Sequence, residues 1–208
     1  MEIIEKINKI LDFTDGFYIE CGAHDGKTQS NTLLLETEKN WSGLLIEPSP
    51  KAFEQLVENR SKKNIFYNVA LVSHNYIEET VLGDFDGTLM ASVNGSRLGF
   101  KNLISVSAKT LTSIIQENNI KKIDFFSLDV EGYELEVLKG LDFSIVSPTY
   151  ILIEVYNFDK EVLFNFMLEN NYDLVCNLSD FKNSDNLIWD GTHDDYLFKL
   201  RDLNLQYN

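Results

Sequence analysis

Short runs of consecutive apolar residues alternate along this chain with stretches of helical period, and that alternation limits the fold more than any other feature. The runs are FYIEC, GLLIE, NIFYNVALV, KIDFFSLDV, TYILIEVY, YDLVC and DYLFKL. A strand that is apolar on both sides must be covered on both faces. Between the runs, SNTLLLETEK, SPKAFEQLVENR, YELEVLKGL and DKEVLFNFMLENN show helical spacing. Ser49 stands as an N-cap with Pro50 in the first turn, and Gly140 closes YELEVLKGL. The expectation is an α/β fold: a mostly parallel sheet with helices on both faces.

The opening MEIIEKINKILDF places Ile3, Ile4, Ile7, Ile10 and Leu11 on one stripe of a helix. Residues 1–14 therefore read as a packing helix rather than a secretory leader, whose apolar region would be unbroken. No run reaches membrane-crossing length, so no membrane insertion is expected. With 208 residues, no internal repeat and no low-complexity linker, one domain spanning residues 1–208 is expected.

The formal charge of −15 narrows the partners. Such a surface repels phosphate backbones, so nucleic acid is not expected as a substrate. Only two cysteines occur, Cys21 and Cys176, which suits free thiols in a reducing, cytoplasmic setting. No CxxC or HxxxH spacing offers a zinc site. One stretch breaks the pattern: GDFDGTLMASVNGSRLGFKN, residues 83–102, is glycine-rich without clear period. It reads either as a substrate lid loop or as a hairpin insertion. In the first case Asp84 and Asp86 would read acceptor hydroxyls.

FYIECGAHDGKT ends a strand in a glycine turn, the place where open parallel sheets bind ligands. A dinucleotide loop needs G-x-G-x-x-G to bring amides to a pyrophosphate. Here Glu20, Gly22 and Asp25 stand in that frame, and two carboxylates oppose a doubly charged phosphate pair. That argues against a nicotinamide oxidoreductase. A ligand with a cationic end fits better. S-adenosylmethionine carries a sulfonium and an amino group and no phosphate. Glu20 would help hold its amino acid part, and Gly22 and Gly26 would let the backbone come close. Glu47, ending the second strand about twenty positions on, is placed to bond ribose hydroxyls.

Three stretches carry a family resemblance: FYIECGAHDGKTQSNTLLLE, WSGLLIEPSPKAFEQL and IDFFSLDVEGYELEVLKGLDF. Together they resemble the FkbM-type S-adenosylmethionine-dependent methyltransferases over roughly residues 15 to 200. The resemblance implies a seven-stranded Rossmann-like class I methyltransferase fold and O-methylation of sugars or other small hydroxylated compounds. It implies cofactor contacts at Glu20, Gly22, Gly26 and Glu47; Ala23, His24, Pro48 and Asp129, beside them, are expected at the cofactor as well, with an exposed turn residue as the alternative for His24. Asn68, Val69 and Ala70 would lie near the adenine, with plain strand packing as the alternative for the last two. His24 departs from the pattern, because many methyltransferases have glycine there.

Transfer to a hydroxyl needs alignment and loss of a proton. Asp129, after the strand KIDFFSLDV, is the first candidate for general base, with Glu131 raising its pKa. Glu154, in the apolar strand TYILIEVY, and His193, before the last strand, are further catalytic candidates. A bound Mg²⁺ held by Asp129, Glu131 and Glu154 is the competing solution; a metal-free base is the reading preferred here. Tyr133 would border the acceptor or pack at a helix start. Glu134 and Glu136 read as a solvated helix face. The expected function is O-methylation of a sugar or glycan precursor. The alternatives are a lipid, peptide or other small-molecule acceptor, or a non-catalytic binding module on the same fold.

Overall fold

The computed structural model describes residues 2–85, 93, 103–179 and 192–202. The N-terminal stripe forms α1 (Ile3–Ile10), which buries Ile7 in one cluster with Tyr18, Trp41 and Leu45. Lys39 closes the helix by donating to the carbonyls of Asn8 and Leu11, a favourable cation at a negative helix end. β1 (Phe17–Cys21), α2 (Leu33–Lys39), β2 (Ser42–Ile46), α3 (Pro50–Asn59) and β3 (Ile65–Tyr67) follow. α3 begins as the sequence suggests, with Ser49 Oγ accepting from the Ala52 amide at 3.3 Å and Pro50 in the first turn.

The run NIFYNVALV is two strands instead of one. β3 pairs with β2, whereas β4 (Ala70–Leu71) leaves for a second sheet. The side chain of Asn68 donates to the carbonyls of Glu47 (2.8 Å) and Pro48 (3.0 Å). That tie pins the chain to the end of β2 and diverts what comes next. β5 (Thr80–Asp84) and β6 (Leu103–Lys109) complete the second sheet, in the order β4-β6-β5. β5 and β6 are antiparallel, from Thr80↔Ser107 to Asp84↔Leu103. Gly83 and Asp84 therefore belong to a strand, paired with Ile104 and Leu103; Asp86 lies outside the described residues.

The chain continues through α4 (Leu111–Glu117), β7 (Phe125–Leu128), α5 (Glu134–Leu138), β8 (Tyr150–Tyr156), α6 (Lys160–Glu169), β9 (Tyr172–Asn177) and β10 (His193–Leu200). The main sheet has seven strands in the order β3-β2-β1-β7-β8-β10-β9. β10 runs antiparallel to both neighbours, and the other pairings are parallel. The α/β expectation holds. Its apolar runs are explained by alternation: Ile19, Leu44, Phe126 and Ile151 enter one core, and Tyr18, Leu45, Phe125 and Leu152 the other. Burying each such side chain contributes about 1.5–3 kcal/mol.

Strand order reverses between β1 and β7. The chain first builds outward to β3, then returns to place β7 and β8 on the opposite side of β1. Carboxyl ends at such a reversal are where ligands bind in open parallel sheets. Among the described residues, no helix is long and apolar enough to cross a membrane.

Candidate active site

The glycine turn after β1 is shaped by its neighbours. The amides of Gly22 and Ala23 both donate to the Ile46 carbonyl at 3.1 Å, fastening the turn to β2. Gly22 has φ +80°, and a Cβ there would lie 1.8 Å from the carbonyl oxygen of Asp129. Gly26 has φ +79°, and its Cβ would meet Arg60 and Leu56 side chains at 2.7 Å. Both glycines are thus required by packing, before any ligand is considered. His24 takes φ +46°, the left-handed conformation that glycine would supply freely and other residues adopt at about 1 kcal/mol. Its amide donates to Glu47 Oε2 at 2.8 Å, and the Ser49 amide donates to Oε1 at 2.8 Å. Glu47 is buried and clamps the turn to the end of β2. Burial raises its pKa, and those two amides oppose the rise.

Glu20 does not face the cleft as a free acceptor. Its buried carboxylate accepts from Ser30 Oγ (2.9 Å), the Asn31 amide (2.8 Å), Thr32 Oγ1 (2.7 Å) and Arg60 (3.1 Å). Arg60, also buried, donates to Glu36 at 2.9 Å and to the Tyr18 hydroxyl at 2.7 Å. Glu20 therefore supports the turn from beneath, and the backbone of the turn is what remains to meet a ligand. Sequence spacing gives no sign of Arg60, because its partners lie on β1 and α2 and only the fold assembles them.

Across Gly22 the end of β7 carries the second half of the site. Glu131 (φ +57°) and Gly132 (φ +96°) make a left-handed turn after Asp129. The amides of Val130 and Gly132 each donate to Glu134 Oε1 at 3.0 Å. Glu134 is thus no solvated face: it is 3% exposed, and burial pushes its pKa up to about 7 despite those amides. One oxygen each from Asp129, Glu134 and Glu154 lie within 4.8 Å of one another. Glu131 is not in this group, since the Tyr156 hydroxyl donates to its Oε2 at 2.7 Å. His193, the first residue of β10, brings Nε2 to 3.2 Å from Glu154 Oε1. Burial, then repulsion from neighbouring carboxylates, holds Asp129 and Glu154 well above the usual carboxylate range. Among the described residues, no arginine or lysine pairs with Asp129, Glu134 or Glu154.

Other expected residues fall elsewhere. Val69, in the bend between β3 and β4, and Ala70, the first residue of β4, are buried in separate apolar clusters. Tyr133 sits at the N-terminal end of α5 and packs against the main core. Asp84 ends β5 in the small sheet. Pro48 is half-buried beside Glu47, with its carbonyl bound by Asn68. Glu134 is the residue the sequence reading missed. Its signal was position: a carboxylate just after a glycine, at the first residue of a helix, satisfies free amides.

Comparison with known proteins agrees with this layout. The family model described as the methyltransferase FkbM domain matches residues 20–174. The hexuronic acid methyltransferase AglP of Haloferax volcanii is 23% identical over 113 residues, covering 53% of this chain and 46% of that protein. The crystal structure of methyltransferase FkbM from Methylobacillus flagellatus KT superposes with a TM-score of 0.58 at 18% identity, covering 92% of this chain and 45% of the other. This chain therefore spans about half the length of these two. Sp1610 of Streptococcus pneumoniae, a suggested tRNA (m1A22) methyltransferase solved with S-adenosyl-L-methionine, superposes at 0.53 with 8% identity. It covers 95% of this chain and 71% of its own. The same fold is thus found in a suggested tRNA methyltransferase, and only the net charge of −15 weighs against nucleic acid. A class I Rossmann-like fold, strand-end carboxylates around a glycine turn and a family match over most of the length converge on one assignment: this chain belongs to the FkbM family of methyltransferases.

Proposed function

We propose that this protein methylates a hydroxyl of a sugar or glycan precursor, using S-adenosylmethionine, in the cytoplasm. The observation that carries the reading is the unbalanced group of carboxylates at the carboxyl ends of β7 and β8, beside the glycine turn. The fit of the cofactor follows from the donor set. The carboxyl groups of Glu47 and Asp129 flank a turn whose backbone closes on β2, and they suit a cationic ligand better than a phosphate. Glu47, the turn at residues 22–26, Asn68 and Asp129 would hold it. When bound, S-adenosylmethionine supplies a methyl group on a positively charged sulfur.

The chain's own groups must orient the acceptor and take its proton. Asp129, partly buried, follows β7 with its backbone carbonyl packed against Gly22 of the glycine turn. Its raised affinity for protons makes it a stronger base than an ordinary aspartate, which suits removal of a hydroxyl proton. His193 holds Glu154 from the far side. Phe158 stands 73% exposed, with its ring 5.5 Å from that of Tyr156. That exposed aromatic face beside hydrogen-bonding carboxylates suits the mixed apolar and hydroxylated faces of a sugar. The name of the AglP relative supports the same acceptor class. Free Cys21 and Cys176 support the cytoplasmic setting.

Isothermal titration with S-adenosylmethionine and, separately, NAD⁺ tests the cofactor reading. Binding of the first and not the second is expected. A folded sample that binds neither, with or without sugar acceptors, would remove the enzymatic reading.

A further inference from the structure

We propose that Asp129, Glu134 and Glu154 hold a divalent cation of the Mg²⁺ or Mn²⁺ type, one oxygen each, and that this ion receives the acceptor's oxygen. The second part rests on the methyltransferase reading above; the binding itself does not.

Three features of the group point to an ion. Oxygens on opposite sides of a small divalent cation stand about 4–5 Å apart, twice the metal–oxygen distance. Those of Asp129, Glu134 and Glu154 all lie within 4.8 Å. The second feature is independent of the clustering. Glu154 is 7% exposed, its Oε1 faces His193 Nε2, and no described donor reaches its buried Oε2. Nearby donors are otherwise engaged: the Tyr156 hydroxyl bonds Glu131, and the Val130 and Gly132 amides bond Glu134 Oε1. A buried carboxylate oxygen left in that state is destabilising. Asp129 and Glu154 can satisfy each other only by sharing a proton; a cation satisfies all three at once.

The third feature is preparation. Glu134 Oε1 is fixed by two amides from a left-handed turn, and Glu154 by His193, as supporting contacts orient metal ligands. An all-oxygen set selects a hard cation over zinc. Three protein ligands leave positions open for water and for an acceptor hydroxyl, whose pKa the ion would lower. Glu134, not Glu131, completes the set.

The test uses Mn²⁺ alone as probe, read by the loss of the free-ion electron paramagnetic signal, on the full chain. One saturable site is expected, with Mg²⁺ displacing the Mn²⁺. Glu154→Gln and Glu134→Gln should each weaken it by about tenfold or more. Circular dichroism and S-adenosylmethionine binding on the same samples show that each variant is folded. No Mn²⁺ binding at millimolar metal, in a chain that binds S-adenosylmethionine, overturns the proposal and leaves the methyltransferase reading standing. Mn²⁺ binding unchanged in both variants overturns it equally, by placing the ion elsewhere. Mn²⁺ binding lost in the variants, in a chain that never binds S-adenosylmethionine, supports the site and removes the methyltransferase reading.

Discussion

Two groups of buried charge flank the glycine turn, and they are built on opposite plans. Beneath it, Arg60 sits between Glu20 and Glu36, and hydroxyls and amides fill the remaining valences. Beyond it, Asp129, Glu134 and Glu154 face one another with no arginine or lysine among the described residues to balance them. Taking charges out of water is costly unless they are paired and hydrogen-bonded. The first group meets that condition within the fold. The second does not, and so its charges are available to something the chain binds. On the reading proposed above, balance marks scaffold and imbalance marks the candidate site.

The comparison breaks most visibly if the two groups are mutated in turn. Asp129→Asn should lower turnover by about 10²–10⁴-fold and weaken S-adenosylmethionine binding while the unfolding midpoint changes little, because one of several repelling carboxylates is neutralised. Calorimetric binding with single-turnover kinetics checks it, and full activity would remove Asp129 from the chemistry. Arg60→Ala should do the reverse, costing about 3–5 kcal/mol in urea unfolding, since Glu20 and Glu36 would stay buried without their cation. Adding Glu20→Gln to that variant should recover part of the loss.

Acidity should sharpen the contrast. Glu134 has its pKa raised from 4.5 to about 7 by burial, so the folded state holds the proton more tightly than the unfolded one. Its contribution is fully present below pH 4.5 and is lost as pH rises to about 7, a fall of about 3 kcal/mol. Burial alone would raise the pKa of Glu36, but bonds from Ser61, Tyr18 and Arg60 bring it below the ordinary value. Its contribution is therefore present above pH 4.5 and is lost as pH falls. Urea unfolding across this range, without divalent metal, should show the alkaline loss flattened in Glu134→Gln and the acid loss unchanged. The smallest effect is expected for Tyr156→Phe. It releases Glu131 and should cost about 0.5–1.5 kcal/mol of stability, leaving Mn²⁺ affinity near the wild-type value.

The main sheet was legible because parallel strands covered on both faces spell continuous apolar runs, as YILIEVY does in β8. The site was half legible for a related reason. Glu47, Asp129 and Glu154 are carboxylates at the ends of such runs, where the topology gathers them. The rest depends on contacts that spacing does not encode. Arg60 meets Glu20 across 40 positions of sequence. Glu134 lies in a helix of only five residues, too short to reveal a buried face by periodicity. β5 alternates buried and exposed residues and so lacks an apolar run. The break between β3 and β4 is set by one side chain, Asn68, in an otherwise strand-like sequence.

The β5–β6 ladder has a consequence for how such a protein diversifies. Its last pair, Asp84↔Leu103, holds the two ends of the intervening stretch one strand spacing apart, whatever lies between them. Doubling the length of a chain segment between fixed ends costs only about 0.6 kcal/mol in closure entropy. The paired ends of β5 and β6 can therefore tolerate a change of length between them at little cost. The seven-stranded frame and its carboxylates need not be rebuilt each time.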